Sequence, residues 1–469
     1  MATIRLTKYS HRFLARIIIE AKTPLAVGSG EKDIITDALV ATDVNKLPYI
    51  PGTSIAGVLR SMMGENKAKE IFGFQSKNGK ECRGSEIIFT EAKILNSNGK
   101  VIDGLDTNSI LSDPLLKVYK ELPVRQHVRI NSRGVAEKSG KFDEQVVFAG
   151  TRFCFELEMV SDGENYLSFK NVLSQLKNNT FRLGGGTRSG FGEIEVVELK
   201  TRELNLQNEK ELELYLAKSS KLSGNWDGWQ DEIIGEEESN SAWTKYLLTL
   251  KPEDFFLFGS GYGDQDADMT PVKACKVEWE NGLGTLEENL VLIPATSVKG
   301  ALSHRVAFHW NKLNGLFAEK LKTQDEKDFV VGSNNKAVQN LFGFENQKTG
   351  TQQRGNLLFS DIIEKKDIAD KVLTHVAIDR FTGGAMDGAL FSEKATYGKG
   401  NSFEMSILAY NAVLESNAII KEALEAALKD ICMGLLPLGG GVNRGNGIFT
   451  GTLKRNNEVI YPKSGGQKS

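Results

Sequence analysis

The sequence says the same thing twice. The segment PYIPGTSIAGVLR at 48–60 returns as VLIPATSVKGALS at 291–303. IFGF at 71–74 returns as LFGF at 341–344, and LGGGTRSGFG at 183–192 returns as LGGGVNRGNG at 438–447. The order is kept. A duplication of this length means two copies of one structural unit and of whatever site it carries. A chain of 469 residues has room for two domains. The expected division is a first domain over 1–200, an acidic connector over 201–241 and a second domain over 242–469.

Composition narrows the class without choosing a function. Hydrophobic and charged shares of 40% and 25% are those of a water-soluble globular chain. No apolar run approaches the roughly 18–20 residues of a membrane span, and the N-terminus lacks an apolar signal core. The expectation is therefore a cytoplasmic protein with no membrane partner. Cys82, Cys154, Cys275 and Cys432 form no CxxC pair, which speaks against structural zinc and against a disulfide framework. A net charge of −3 does not advertise nucleic-acid binding, but averages hide patches. The stretch 230–239 holds five acids and no base, whereas 125–152 holds six Lys/Arg against three acids.

Each half reads as the same series. A β-branched strand (13–21; 245–251) runs into a Gly-Ser-Gly turn (28–30; 259–261) and an acidic loop. An Ile-Pro-x-Thr-Ser start then opens an apolar helical pattern, with Thr-Ser placed as N-cap. Two strands follow (86–92 and 153–159; 355–361 and 402–409) with a basic stretch between them. A helix (166–177; 419–433), a triple-glycine loop and a last strand (192–197; 447–453) close the unit. This order predicts an α+β fold, two tandem ferredoxin-like or RRM-like domains with insertions.

Four features could carry chemistry, each with a plainer reading beside it. The helix starts at Ser54 and Ser297, with Arg60, Lys299 and Arg305 nearby, suit phosphate, because a helix N-terminus presents unpaired N–H groups; they equally suit simple capping. The loops at Gly185 and Gly440, followed by Arg188 and Arg444, suit close backbone approach to a phosphate with an arginine fork, or a tight strand connection. Neither matches a P-loop. Asp33 and Asp37 follow Gly30 at offsets of 3 and 7, and Asp264 and Asp268 follow Gly261 at the same offsets. Such acids hold a divalent cation or take a proton, or they are solvated turn residues. The mid-domain stretches, Arg125, His127 and Arg129 in one half and His375, Arg380 and Phe381 in the other, combine cations with an aromatic, as phosphate contact and base stacking require.

Taken in order, the Gly-Ser-Gly turn with its Asp, IPGTSIAG and IPATSVKG, the Phe-Gly-Phe, HVRI and HVAIDR, and the terminal GGGTRSGFG and GGGVNRGNG resemble the RAMP superfamily of CRISPR–Cas proteins. The likeness is greatest to the guide-RNA-binding backbone subunits of type III effector complexes, and covers 12–198 and 243–455. It implies RRM-like palms lined up along a CRISPR RNA, each with a thumb hairpin that kinks the guide–target duplex. It implies that Asp37 and Asp268 cleave complementary target RNA with Mg²⁺ or another divalent cation, held jointly with RNA. Asp33 and Asp264 are the candidates for assistance. It also implies other effector subunits as partners, a prokaryotic cytoplasm, and a natural fusion of two units, as in subtype III-D-like systems.

The chain departs from the pattern in places. The usual Lys of the helix start is Ala56 in the first half and Lys299 in the second, and Ala295 replaces Gly after the second Pro. Two other readings stand beside the nuclease. One is a guide-binding backbone without chemistry. The other is a CRISPR RNA-processing enzyme using His11 or His304, neither of which recurs in the other half.

Overall fold

The computed structural model describes residues 9–33, 36–76, 79–131, 134–232, 242–346, 349–366 and 368–462. The first unit runs β1 (His11–Ala21), α1 (Gly52–Met62), β2 (Ile87–Phe89), β3 (Val124–Ile130), β4 (Ala136–Gln145), β5 (Arg152–Ser161), α2 (Tyr166–Leu176) and β6 (Ile194–Asn205). The second runs β7 (Trp243–Pro252), β8 (Lys273–Glu280), β9 (Leu283–Ile293), α3 (Ala295–Leu313), β10 (Leu357–Phe359), β11 (Asp370–Ile378), β12 (Ala385–Tyr397), β13 (Phe403–Tyr410), α4 (Ala418–Cys432) and β14 (Phe449–Arg455). The core strands pair in the order β6-β1-β5-β2 and β10-β13-β7-β14, all antiparallel. Both are ferredoxin-like sheets of a βαββαβ unit, as the element order predicts.

Two hairpins, β3–β4 and β11–β12, leave their palms between the second and third core strands and pair only within themselves over most of their length. They are the predicted thumbs. Apolar residues stay exposed on both, including Val128, Ile130 and Phe142 on one and Val376, Ile378 and Phe381 on the other.

The helix starts differ from the expectation. Thr53-Ser54 and Thr296-Ser297 are not N-caps. The caps are Pro51 and Pro294, and neither cap offers a side chain to bond the first turn. Proline fixes φ near the extended value an N-cap needs, so the hydroxyls fall inside the first turn. In the first copy glycine is required by space: a Cβ on Gly52 would lie 2.8 Å from the carbonyl oxygens of Phe89 and Thr90.

Residues 206–232 do not stream away as a solvated connector. They fold back over the open face of the first sheet. There Arg16, buried in mid-strand, pairs with Glu156, donates to the Gly224 carbonyl at 2.8 Å and lies 4.8 Å from the Trp226 ring and 5.0 Å from that of Trp229. Lys218 reaches Glu156 at 2.6 Å. A buried charge demands such partners. The rest of the acidic run, 233–241, lies outside the described residues.

The two units are joined by more than the chain. The β8–β9 hairpin of the second reaches into the first: Val277 belongs to the first unit's core, and its N–H donates to the Ala149 carbonyl at 2.8 Å. Trp279 Nε1 donates to the Gly150 carbonyl at 2.8 Å. No helix among the described residues is long and apolar enough to cross a membrane.

Candidate functional site

In each half the acidic loop, the glycine loop and the base of the thumb meet. The first acid of each loop shapes it. Asp33 Oδ1 accepts the Thr36 N–H at 2.5 Å, and Asp264 Oδ1 accepts the Asp266 and Ala267 N–H groups at 2.9 Å. A carboxylate that closes a turn on its own backbone fixes the path of the chain beyond it. Next comes a buried residue, Thr36 or Ala267, and then the second acid, exposed in both halves.

The second acids grip the thumbs at the same backbone position. Asp37 Oδ2 accepts the Asp143 N–H at 3.1 Å; Asp268 Oδ2 accepts the Ser392 N–H at 2.7 Å and its hydroxyl at 3.1 Å. The next residues form parallel bridges of matching register, Ala38 with Glu144 and Met269 with Glu393. One residue further, Gln145 Oε1 accepts the Val40 N–H at 3.1 Å, while Lys394 reaches Asp264 at 2.5 Å. That lysine holds the Asp264 carboxyl below its ordinary range.

Behind each acid stands a histidine on the facing thumb strand. His127 stacks on Phe142 at 4.8 Å, with Nε2 2.9 Å from Glu144. His375 stacks on Phe391 at 5.0 Å, with Nε2 3.2 Å from Glu393. Phe142, Glu144, Phe391 and Glu393 escaped the reading of the sequence. Their signal was present as Phe-Asp-Glu at 142–144 against Phe-Ser-Glu at 391–393.

Several candidate RNA contacts are committed to the protein. Arg125, its side chain 11% exposed, pairs with buried Asp361 at 3.4 Å across the two units. Burial lowers the Arg125 pKa and raises that of Asp361, whose Oδ1 also accepts the Ala295 N–H at 2.8 Å. Arg305 binds Asp430 at 2.5 Å, locking α3 to α4. The Gly185 and Gly440 N–H groups donate at 2.7 Å to the Ala26 and Leu257 carbonyls, so they close a strand connection. Arg188 and Arg444 are not counterparts: Arg188 aligns with Asn443, and Ser189 with Arg444. Arg188 donates to the Gly355 carbonyl across the seam, and Arg444 binds Glu393.

Others remain presented. Arg60 is exposed beside a shallow groove of about 360 Å³, with one bond to the Phe72 carbonyl at 3.3 Å. Ser54 and Ser297 are half-buried in the first helical turns. Arg129, Arg380 and Phe381 are exposed towards the thumb ends, Phe381 at 98%. Arg188 belongs to both groups: its Nε is tied to the Gly355 carbonyl, and it lies beside Lys299 at the seam, two residues taken separately from the sequence. Lys299 Nζ donates to Ser189 Oγ at 3.3 Å. Burial and then Arg188 bring the Lys299 ammonium down to about 8, and burial with Arg354 and Arg182 brings Arg188 to about 10. Packed cations with depressed pKa values favour an arriving anion such as a phosphate.

Among the described residues no three His, Cys, Asp or Glu side chains form a metal-holding group. Asp37 and Asp268 each offer a single exposed carboxylate. That suits Mg²⁺, which keeps waters and takes one or two carboxylates together with substrate phosphates.

The sequence matches the RAMP superfamily over residues 18–195 and again over 282–450, and the chain belongs to that superfamily, carrying its unit twice. It is also similar to the CRISPR system Cms endoribonuclease Csm3 of Methanothermobacter thermautotrophicus (strain Delta H). The two are 25% identical over 203 residues, covering 39% of this chain and 79% of the relative. A match that nearly spans the relative but under half of this chain fits one unit there and two here.

Proposed function

We propose that the chain is a double backbone subunit of a type III CRISPR effector complex, which binds CRISPR RNA and cleaves complementary target RNA at two positions. The observation that carries this is the repeated geometry at the thumb base. The two halves have drifted apart in most positions, yet each keeps an exposed aspartate bound to the same backbone N–H of its thumb in the same register.

RNA supplies its own nucleophile, the 2′-OH. A thumb wedged into the guide–target duplex would unstack it and bring that oxygen in line with the scissile phosphate; the 2′-oxygen would bond to phosphorus as the bond to the 5′-oxygen breaks, leaving a 2′,3′-cyclic phosphate and a 5′-hydroxyl that takes up a proton, so positioning supplies much of the rate. Asp37 and Asp268 would hold Mg²⁺ jointly with the phosphate, or accept the hydroxyl proton. A bound cation would stabilise charge on the phosphoryl oxygens. Asp33 and Asp264 act through loop shape. Arg188 and Lys299 hold guide phosphate at the seam; Arg380, Phe381 and Arg129 meet RNA from the thumbs.

The test is cleavage of labelled complementary RNA by the assembled complex with Mg²⁺. Asp37→Ala and Asp268→Ala should each remove one product, with a rate loss of about 10²–10⁴ at that position, and the double variant should remove both. Intact cleavage in the double variant would overturn the assignment. Loss of guide binding instead would favour a backbone without chemistry.

A further inference from the structure

The two acidic loops share one backbone frame and differ in the side chain set on it. In the first, Ser29 Oγ accepts the Glu31 N–H at 3.1 Å, and the Glu31 carbonyl accepts the Leu39 N–H at 3.2 Å. In the second, Ser260 Oγ accepts the Tyr262 N–H at 3.1 Å. The Tyr262 carbonyl accepts the Thr270 N–H at 3.1 Å and its hydroxyl at 2.9 Å. Each frame closes its loop two residues beyond the second acid, Asp37 or Asp268. The closing residue is an exposed glutamate in the first loop and a tyrosine in the second.

That tyrosine meets the first thumb. Gln126, on β3, donates from Nε2 to the Tyr262 hydroxyl. Its side chain lies so close to the Gly261 turn that a Cβ there would overlap Gln126 Oε1. From β4, Lys141 brings its ammonium to 5.9 Å from the centre of the tyrosine ring. Gln126 stands directly opposite Asp143, whose N–H holds Asp37. One thumb base therefore touches both acidic loops: that of Asp37 through β4, and that of Asp268 through Gln126. The second thumb lacks these side chains. The matching pairs His127–Phe142 and His375–Phe391 put Thr374 at the position of Gln126 and Leu390 at that of Lys141, and both are exposed.

We propose that Tyr262 is a positioning residue of the second cleavage site, tied by Gln126 so that the first thumb sets the place of Asp268. An exposed acid on a loop is only as effective as its position, and a small displacement is costly. The hydrogen bonds from Gln126 through Tyr262 to Thr270 make a continuous path from the thumb to the backbone just beyond Asp268. A first thumb seated in the duplex thereby steadies the second loop. With the link cut, Asp268 keeps its bonds to Ser392 and loses this support from the other unit. The proposal rests on the reading of Asp37 and Asp268 as the cleaving acids.

The test is single-turnover cleavage of labelled complementary RNA by the assembled complex with Mg²⁺, followed at both positions. Tyr262→Phe should slow the second position about fivefold, as loss of one hydrogen bond does, with the first position and guide affinity unchanged. Gln126→Leu should slow the second position equally, and the two changes together no further, since they cut one contact. Gln126→Glu keeps an acceptor for the tyrosine hydroxyl and should restore the second-position rate. Slowing of the first position by Tyr262→Phe, unchanged rates, additive losses, or failure of Gln126→Glu to rescue would each overturn the proposal. A wild-type complex that leaves the RNA intact, or a second product that survives Asp268→Ala, would overturn the underlying reading and the proposal with it.

Discussion

The two thumb bases share one plan and are closed in two ways. In the first half Phe191 sets its ring edge against His127 at 6.1 Å, and Glu144 faces that histidine alone. In the second half Asn446 replaces Phe191. Glu393, fully buried, takes Asn446 at 3.0 Å and His375 at 3.2 Å, and also pairs with Arg444, whose guanidinium lies 5.2 Å from the Phe391 ring. Burial pushes the Glu393 pKa up, but Arg444, Asn446 and His375 outweigh it and lower it overall. A phenyl ring needs no replacement for water, whereas a buried carboxylate needs all of these partners. The duplication therefore kept the acid and its register and let the support diverge: apolar packing on one side, ion pairing on the other.

The seam acid offers the hardest test of that divergence. Asp361→Asn strands Arg125 in the interior and should cost about 3–5 kcal/mol. The counterpart change Glu91→Gln, on the exposed side, should stay within about 0.5 kcal/mol. Chemical denaturation of the two variants checks this, and equal effects would break the comparison. Next come the thumb glutamates. Glu393→Ala should loosen β12 by about 2–3 kcal/mol, the usual cost of breaking a buried pair reduced because Arg444 is partly solvated. Glu144→Ala should cost about 1 kcal/mol or less. Hydrogen exchange of the two thumbs reads both.

A smaller contrast lies in pH. Lys299, at about 8, is charged below that value and neutral above it. A bound phosphate favours the charged form, so guide affinity should fall as pH rises through 8. Lys299→Met should bind more weakly at neutral pH and lose that part of the dependence; a retained slope would remove the lysine from the phosphate site. Smallest is the salt effect on the Lys394–Asp264 contact, which is partly exposed. At about 1 M salt the screening length is roughly 3 Å. Cleavage at the second position should then slow a fewfold relative to the first, where Gln145 makes the equivalent tie without charge. Lys394→Met should abolish the difference.

Much of this protein was legible in the chain. The repeat, the order of strands and helices and the spacing of the acids follow from periodicity, glycine turns and self-comparison, all of which are local, whereas the thumbs were implied only by the family resemblance. The arginines were another matter. Arg125, Arg182 and Arg305 look like any cations beside glycines and histidines, yet each is committed to protein partners. Arg125 and Asp361 are 236 residues apart in sequence. Arg188 and Arg444 looked equivalent because each follows three glycines, but a one-residue offset sends the first to the seam and the second to the buried Glu393. What the sequence determined by itself was the unit, its duplication and the acids, since these repeat at fixed spacing. Only the tertiary structure decided which charges bind protein and which stay presented, because that depends on what burial places opposite each side chain, and burial is set by contacts far apart along the chain.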